Sequence, residues 1–113
     1  MSTTAAFPLF VKNVPFDKDV LRNSISSFSD LSDAITNHIH IKFKNGYSLG
    51  VIQGEYTYGG PEGLFEIGLF DQSGSLDGSL LDEDDQGDDV LGHCTSDTVA
   101  HYAKKLALIP SRE

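Results

Sequence analysis

The stretch Ile39-His40-Ile41-Lys42-Phe43-Lys44-Asn45-Gly46-Tyr47-Ser48-Leu49-Gly50-Val51-Ile52 decides the fold class. Ile39, Ile41 and Phe43 alternate with His40 and Lys42, the period-two signature of a strand with one buried face. Asn45-Gly46 then breaks the alternation. Both residue types tolerate the positive φ of a type I′ turn, so the spacing predicts a two-residue hairpin. In that register Lys44 faces Tyr47, Phe43 faces Ser48, Lys42 faces Leu49, Ile41 faces Gly50 and Ile39 faces Ile52. Leu49 and Val51 then share a face with His40 and Lys42, which makes the second strand central and covered on both sides. Ser48 and Gly50 leave room above Phe43 and Ile41 for a helix.

Downstream, residues 64–70 read as another strand, with Phe65, Ile67 and Leu69 on one face and Glu66 and Gly68 on the other. A short further strand is expected around 76–81. At the C-terminal end, Thr95 or Ser96 caps a helix over 96–109. Asp97 lies in its first turn, Val99, Ala103 and Leu106 form its apolar stripe, and Pro110 follows it. Upstream, Val20, Leu21, Ile25 and Phe28 stand at helical spacing, so one or two short helices are expected within 17–37, weakened by Ser24, Ser26, Ser27 and Ser29. Residues 1–15 read as an extended arm broken by Pro8 and Pro15. The sum is one α+β domain over 1–113. It is an antiparallel sheet of three to four strands with a C-terminal helix packed on one face and short N-terminal helices.

Composition narrows the function. With 113 residues there is room for one domain, and 17 acidic against 8 basic side chains give a net charge of −9, which argues against direct nucleic-acid binding. No apolar run approaches the roughly 20 residues of a membrane span, so no membrane partner is expected. The single cysteine, Cys94, suits a reducing, cytoplasmic setting.

The charge is unevenly placed. Between positions 45 and 103 there is no Lys or Arg, while Glu55, Glu62, Asp82, Glu83, Asp84, Asp85, Asp88 and Asp89 all fall there. Such a field attracts basic protein surfaces and resembles a phosphate backbone, so these carboxylates are candidate partner-binding residues, against the plainer reading of a solvated loop. Tyr56 and Tyr58 join them, on a loop over 54–63 with glycines at 59, 60 and 63. Tyrosines bring large contact area at low entropy cost. The alternative is a small-ligand binder whose 54–63 loop closes over a nucleotide or signalling molecule. An exposed sheet edge could also pair two copies into a homodimer.

Catalytic and metal chemistry find little support. Asp82, Asp84 and Gly87 open like a calcium loop, but Gln86 departs from the pattern and His93 stands where a bidentate Glu is required. His38, His40, His93 and His101 have no spacing that enforces convergence on zinc. Cys94 precedes a helix start, where the dipole could lower its pKa, yet nothing supplies an orienting third group. No enzyme activity, no cofactor and no metal are expected.

The motifs Asn45-Gly46-Tyr47, Gln53-Gly54-Glu55-Tyr56-Thr57-Tyr58-Gly59-Gly60, Glu62-Gly63-Leu64-Phe65-Glu66 and Asp88-Asp89-Val90-Leu91-Gly92 together resemble a family of small proteins carried by tailed bacteriophages. The resemblance covers about residues 39–109 and brings no catalytic assignment. It implies a setting, the cytoplasm of an infected bacterial host, and a role: binding and disabling a host protein, such as a nucleic-acid-handling defence component of the CRISPR or restriction type.

Overall fold

The computed structural model describes residues 7–110. The fold is α+β: a five-stranded antiparallel sheet in the order β1-β2-β3-β4-β5, with a C-terminal helix against one face. The strands are β1 (Ile25–Asp30), β2 (Thr36–Phe43), β3 (Ser48–Gly54), β4 (Phe65–Phe70) and β5 (Val90–Cys94). The helices are α1 (Lys18–Asn23) and α2 (Ser96–Ala107). The strand count thus exceeds the expected three to four, because β1 and β5 escape the alternation test.

At β1 the reason is a bulge. Ile25 pairs with Phe43 and Phe28 with Ile41, while Ser26 is extra, so two apolar residues three apart reach the same face of the sheet. That spacing imitates a helix, and it is why the expected helices over 17–37 reduce to α1 alone. Asp17 caps α1 by accepting from the backbone N–H groups of Asp19 at 2.9 Å and Val20 at 3.2 Å. The serines that follow disfavour continuing the helix.

The central hairpin forms one residue out of the expected register. Lys42 pairs with Ser48, Ile41 with Leu49, His40 with Gly50 and Ile39 with Val51. The N–H of Gly46 donates to the Phe43 carbonyl at 3.0 Å, and that of Phe43 to the Tyr47 carbonyl at 2.9 Å. The connection is therefore three residues long, with only Gly46 left-handed at φ 95°. A one-residue slip exchanges faces. Leu49 and Val51 join Ile39, Ile41 and Phe43 in the core, each no more than 1 % exposed, and Ser48 and Gly50 turn to the opposite face.

Asn45 explains the choice. Its side-chain amide donates to the carbonyls of Leu106 at 2.8 Å and Ile109 at 2.9 Å, while its Oδ1 accepts from the Tyr47 N–H at 3.0 Å. The turn residue thus adds an acceptor bond at the Leu106 carbonyl, which also takes the Ile109 N–H at 3.2 Å, and ties the turn to the chain just past α2.

Helix α2 is capped by Thr95, whose hydroxyl accepts from the Thr98 N–H at 3.3 Å. It packs Val99, Tyr102, Ala103 and Leu106 into the inner face with Phe65, Ile67 and Leu69. Each buried aliphatic side chain contributes about 1.5–3 kcal/mol against leaving it in water. Within the expected arm, residues 1–6 lie outside the described residues. Leu9–Val11 forms a 3₁₀ turn rather than an extended segment, and Val11 and Val14 close the same core. The expected strand over 76–81 is instead a single bridge from Leu76 to Phe70 followed by a 3₁₀ turn, Gly78–Leu80, capped by Asp77.

Candidate functional site

Tyr102, fully buried on α2, organises the acidic run. Its hydroxyl accepts from the Asp82 N–H at 3.0 Å and donates to the Asp85 carboxylate. Burial, joined by the charge and hydrogen bonding of Asp85, raises the phenol's pKa, so it remains a donor across the ordinary pH range. The Asp82 carboxylate accepts from Lys105 Nζ at 2.8 Å and lies 2.7 Å from His101 Nε2. The Lys105 and His101 bonds hold the Asp82 carboxyl below the usual carboxylate range.

Two of the six candidate carboxylates in this run, Asp82 and Asp85, are therefore half-buried against α2 and fasten the loop to it. Glu83, Asp84, Asp88 and Asp89 are exposed, and among the described residues the ion pairs to carboxylates go to Asp17, Asp19 and Asp82 instead. The run is thus divided: Asp82 and Asp85, at either end of the 3₁₀ turn Glu83–Asp85, are half-buried and bonded, while the other four are exposed.

The tyrosine loop is held by hydrogen bonds to β3, β4 and β5. The hydroxyl of Thr57 donates to the Gly54 carbonyl at 3.0 Å and accepts from the Gly54 N–H at 2.9 Å. A Cβ at Gly60 would fall 1.8 Å from the Gly54 carbonyl oxygen, so glycine there permits close approach of two backbones. Glu66 Oε1 accepts from the Tyr58 N–H at 2.9 Å, and the Tyr58 carbonyl accepts from the His93 N–H at 2.9 Å. His93 is the one left-handed residue among the described residues that is not glycine, at φ 55°, at the bulge between β4 and β5. Tyr56 and Tyr58 remain 80 % and 61 % exposed, and Glu55 and Glu62 are exposed beside them. Both candidate segments flank β5: the acidic run leads into Val90, and Tyr58 packs on Gly92.

The outer face of the sheet, opposite α2, carries a feature that the sequence reading missed. The row His40, Gly50, Gly68 and Val90 runs across four strands. Phe70 and Leu76 stand on one side of it, and His38, Ile52 and Glu66 on the other, enclosing an apolar groove of about 190 Å³. A more open polar crevice of about 550 Å³ adjoins it at Leu76, lined also by Asp77, Asp88 and Asp89. The signal lay in Gly50 and Gly68, but only the true register places them side by side.

The catalytic candidates disperse. Cys94 is buried at the end of β5, and desolvation, with the charges of Asp85 and Glu66, pushes its thiol up to about 12. The expected lowering by the helix start is overturned, because the thiol faces the core. His40 Nε2 lies 2.9 Å from the Ser48 hydroxyl and its ring packs on Phe70 at 5.0 Å, while His101 is taken by Asp82. Among the described residues no group of three His, Cys, Asp or Glu side chains could hold a metal ion.

No family model matches the chain, and neither the curated proteins nor the solved structures contain a match to it. Among the described residues no helix is long and apolar enough to cross a membrane.

Proposed function

We propose that this protein is a small non-enzymatic interaction protein of phage origin that acts in the infected host's cytoplasm. It docks Glu83, Asp84, Asp88 and Asp89, flanked by Tyr56 and Tyr58 with Glu55 and Glu62, onto a basic surface of a host protein. A nucleic-acid-handling defence component fits that description, since its substrate groove is itself built to receive negative charge. The observation that carries the reading is the division of the acidic run. The carboxylates needed to hold the loop are bonded, while four others are kept exposed at a self-repulsive density, with no ion pair to any of them among the described residues.

The tyrosine loop supports the same reading. It presents two exposed aromatic rings on a backbone already fixed by Thr57, Glu66 and His93, so little order is lost on contact.

A tagged copy retained on resin and washed with bacterial lysate at low and at high salt tests the proposal. A single partner with a basic surface, retained at low salt and released at high salt, is the expected result. Retention that does not change with salt would contradict the electrostatic docking.

A further inference from the structure

The groove on the outer face has the size of a side chain rather than of a cofactor. Ligand pockets usually run from about 300 to 1,000 Å³, and this one is about 190 Å³. Its floor is the Gly50–Gly68 pair, where a Cβ would meet Phe70 at 3.3 Å and Leu76 at 2.9 Å respectively. Its walls are Ile52, Phe70, Leu76 and Val90, and Leu76 is 40 % exposed. The lip is acidic on the β4–β5 side, with Glu66 at one end of the groove and Asp88 and Asp89 across Leu76 in the adjoining crevice. Lys42, on the same face, stands beyond Phe70 next to Ser48 at the opposite corner.

An apolar slot one side chain deep, beside a row of carboxylates, is complementary to a single kind of occupant. We infer that the groove receives one aliphatic side chain of a partner segment whose neighbouring residues are Lys or Arg. The apolar side chain enters between Ile52 and Leu76, and the flanking cations meet Glu66, Asp88 and Asp89. This rests on the proposed docking function and gives it a specificity element, because the exposed acids alone would accept any basic surface.

The test uses the full-length protein labelled with nitrogen-15 and three five-residue peptides. One has a central leucine flanked by arginines, one a central serine flanked by arginines, and one a central leucine flanked by glutamates. The leucine–arginine peptide is expected to shift the amide signals of Gly50, Gly68 and Val90 and to bind about tenfold more tightly than the serine–arginine peptide. The leucine–glutamate peptide is expected to produce no shifts. Ile52→Lys, at a partly exposed wall position, is expected to abolish the advantage of leucine over serine with an unchanged circular dichroism spectrum. Should that variant misfold, Leu76→Ala provides the same comparison at the more exposed wall.

Equal affinity for the two arginine peptides, with shifts confined to residues 83–89, would overturn the groove assignment and leave the acidic docking reading standing. Absence of shifts from either arginine peptide would overturn both.

Discussion

The buried hydroxyl of Tyr102 donates to the carboxylate of Asp85, and through this bond helix α2 decides which carboxylates of the acidic run are left free. The same hydroxyl accepts from the Asp82 backbone, so removing it leaves a donor and a charged acceptor without partners. Tyr102→Phe is therefore expected to destabilise the fold by about 2 kcal/mol, the scale of a hydrogen bond to a charged group. Urea unfolding checks it. A change below a few tenths of a kcal/mol would show that the loop is held elsewhere.

Asn45 distinguishes the observed hairpin from the type I′ turn that its sequence suggests. In a type I′ turn Asn45→Gly would be close to neutral, since both residues suit a positive φ. Here the side chain bonds to Leu106, Ile109 and Tyr47, so the substitution is expected to lower stability by about 1–2 kcal/mol and to speed amide exchange at the end of α2. Exchange measured at Leu108 and Ile109, whose N–H groups bond to Lys104 and Leu106, reads the effect directly.

The alternation of Ile39, Ile41 and Phe43 and the stripe on α2 were readable because each follows a single period in one run of chain. The register was not, because Asn45 is chosen for a contact with residues more than sixty positions away, which no local turn preference encodes. β1 hid behind its bulge, and β5 behind its short length, Gly92 and His93. Of the candidate site, the exposure of Tyr56, Tyr58, Glu83, Asp84, Asp88 and Asp89 follows from composition. The bonding of Asp82 and Asp85 to α2 depends on the partners Tyr102, Lys105 and His101, and so required the fold.

His40 and Asp82 are two of the groups that give the stability its pH dependence below neutrality. Burial, with the nearby charges of His38 and Lys42, lowers the pKa of His40 from its ordinary value. The unfolded chain then takes up a proton first, so the contribution is fully present above pH of about 6.5 and is lost as pH falls from there through the lowered folded value. Asp82 is also lowered, so its contribution is present above about pH 4 and is lost as pH falls through its folded value. His40→Gln is expected to flatten thermal stability as pH falls from about 6.5 while leaving the acid limb below about pH 4 in place. Melting curves across that range check both limbs.

Cys94, buried with its thiol held at about 12, should resist alkylation in the native protein at neutral pH and react only as the fold opens. Iodoacetamide labelling followed by mass spectrometry with and without urea reads this. Rapid labelling of the native chain would place the thiol in solvent and reopen nucleophilic chemistry.

The central claim is that Glu83, Asp84, Asp88 and Asp89 bind while Asp82 and Asp85 hold the loop. The direct measurement is the affinity of the salt-sensitive partner, at low salt, for the wild-type chain and for E83K/D84K/D88K/D89K. Four exposed contacts reversed to repulsion are expected to weaken binding about a hundredfold or more, with the melting temperature unchanged or raised. Affinity within about twofold of wild type in a folded quadruple variant would contradict the account and return the acidic run to a solvated surface.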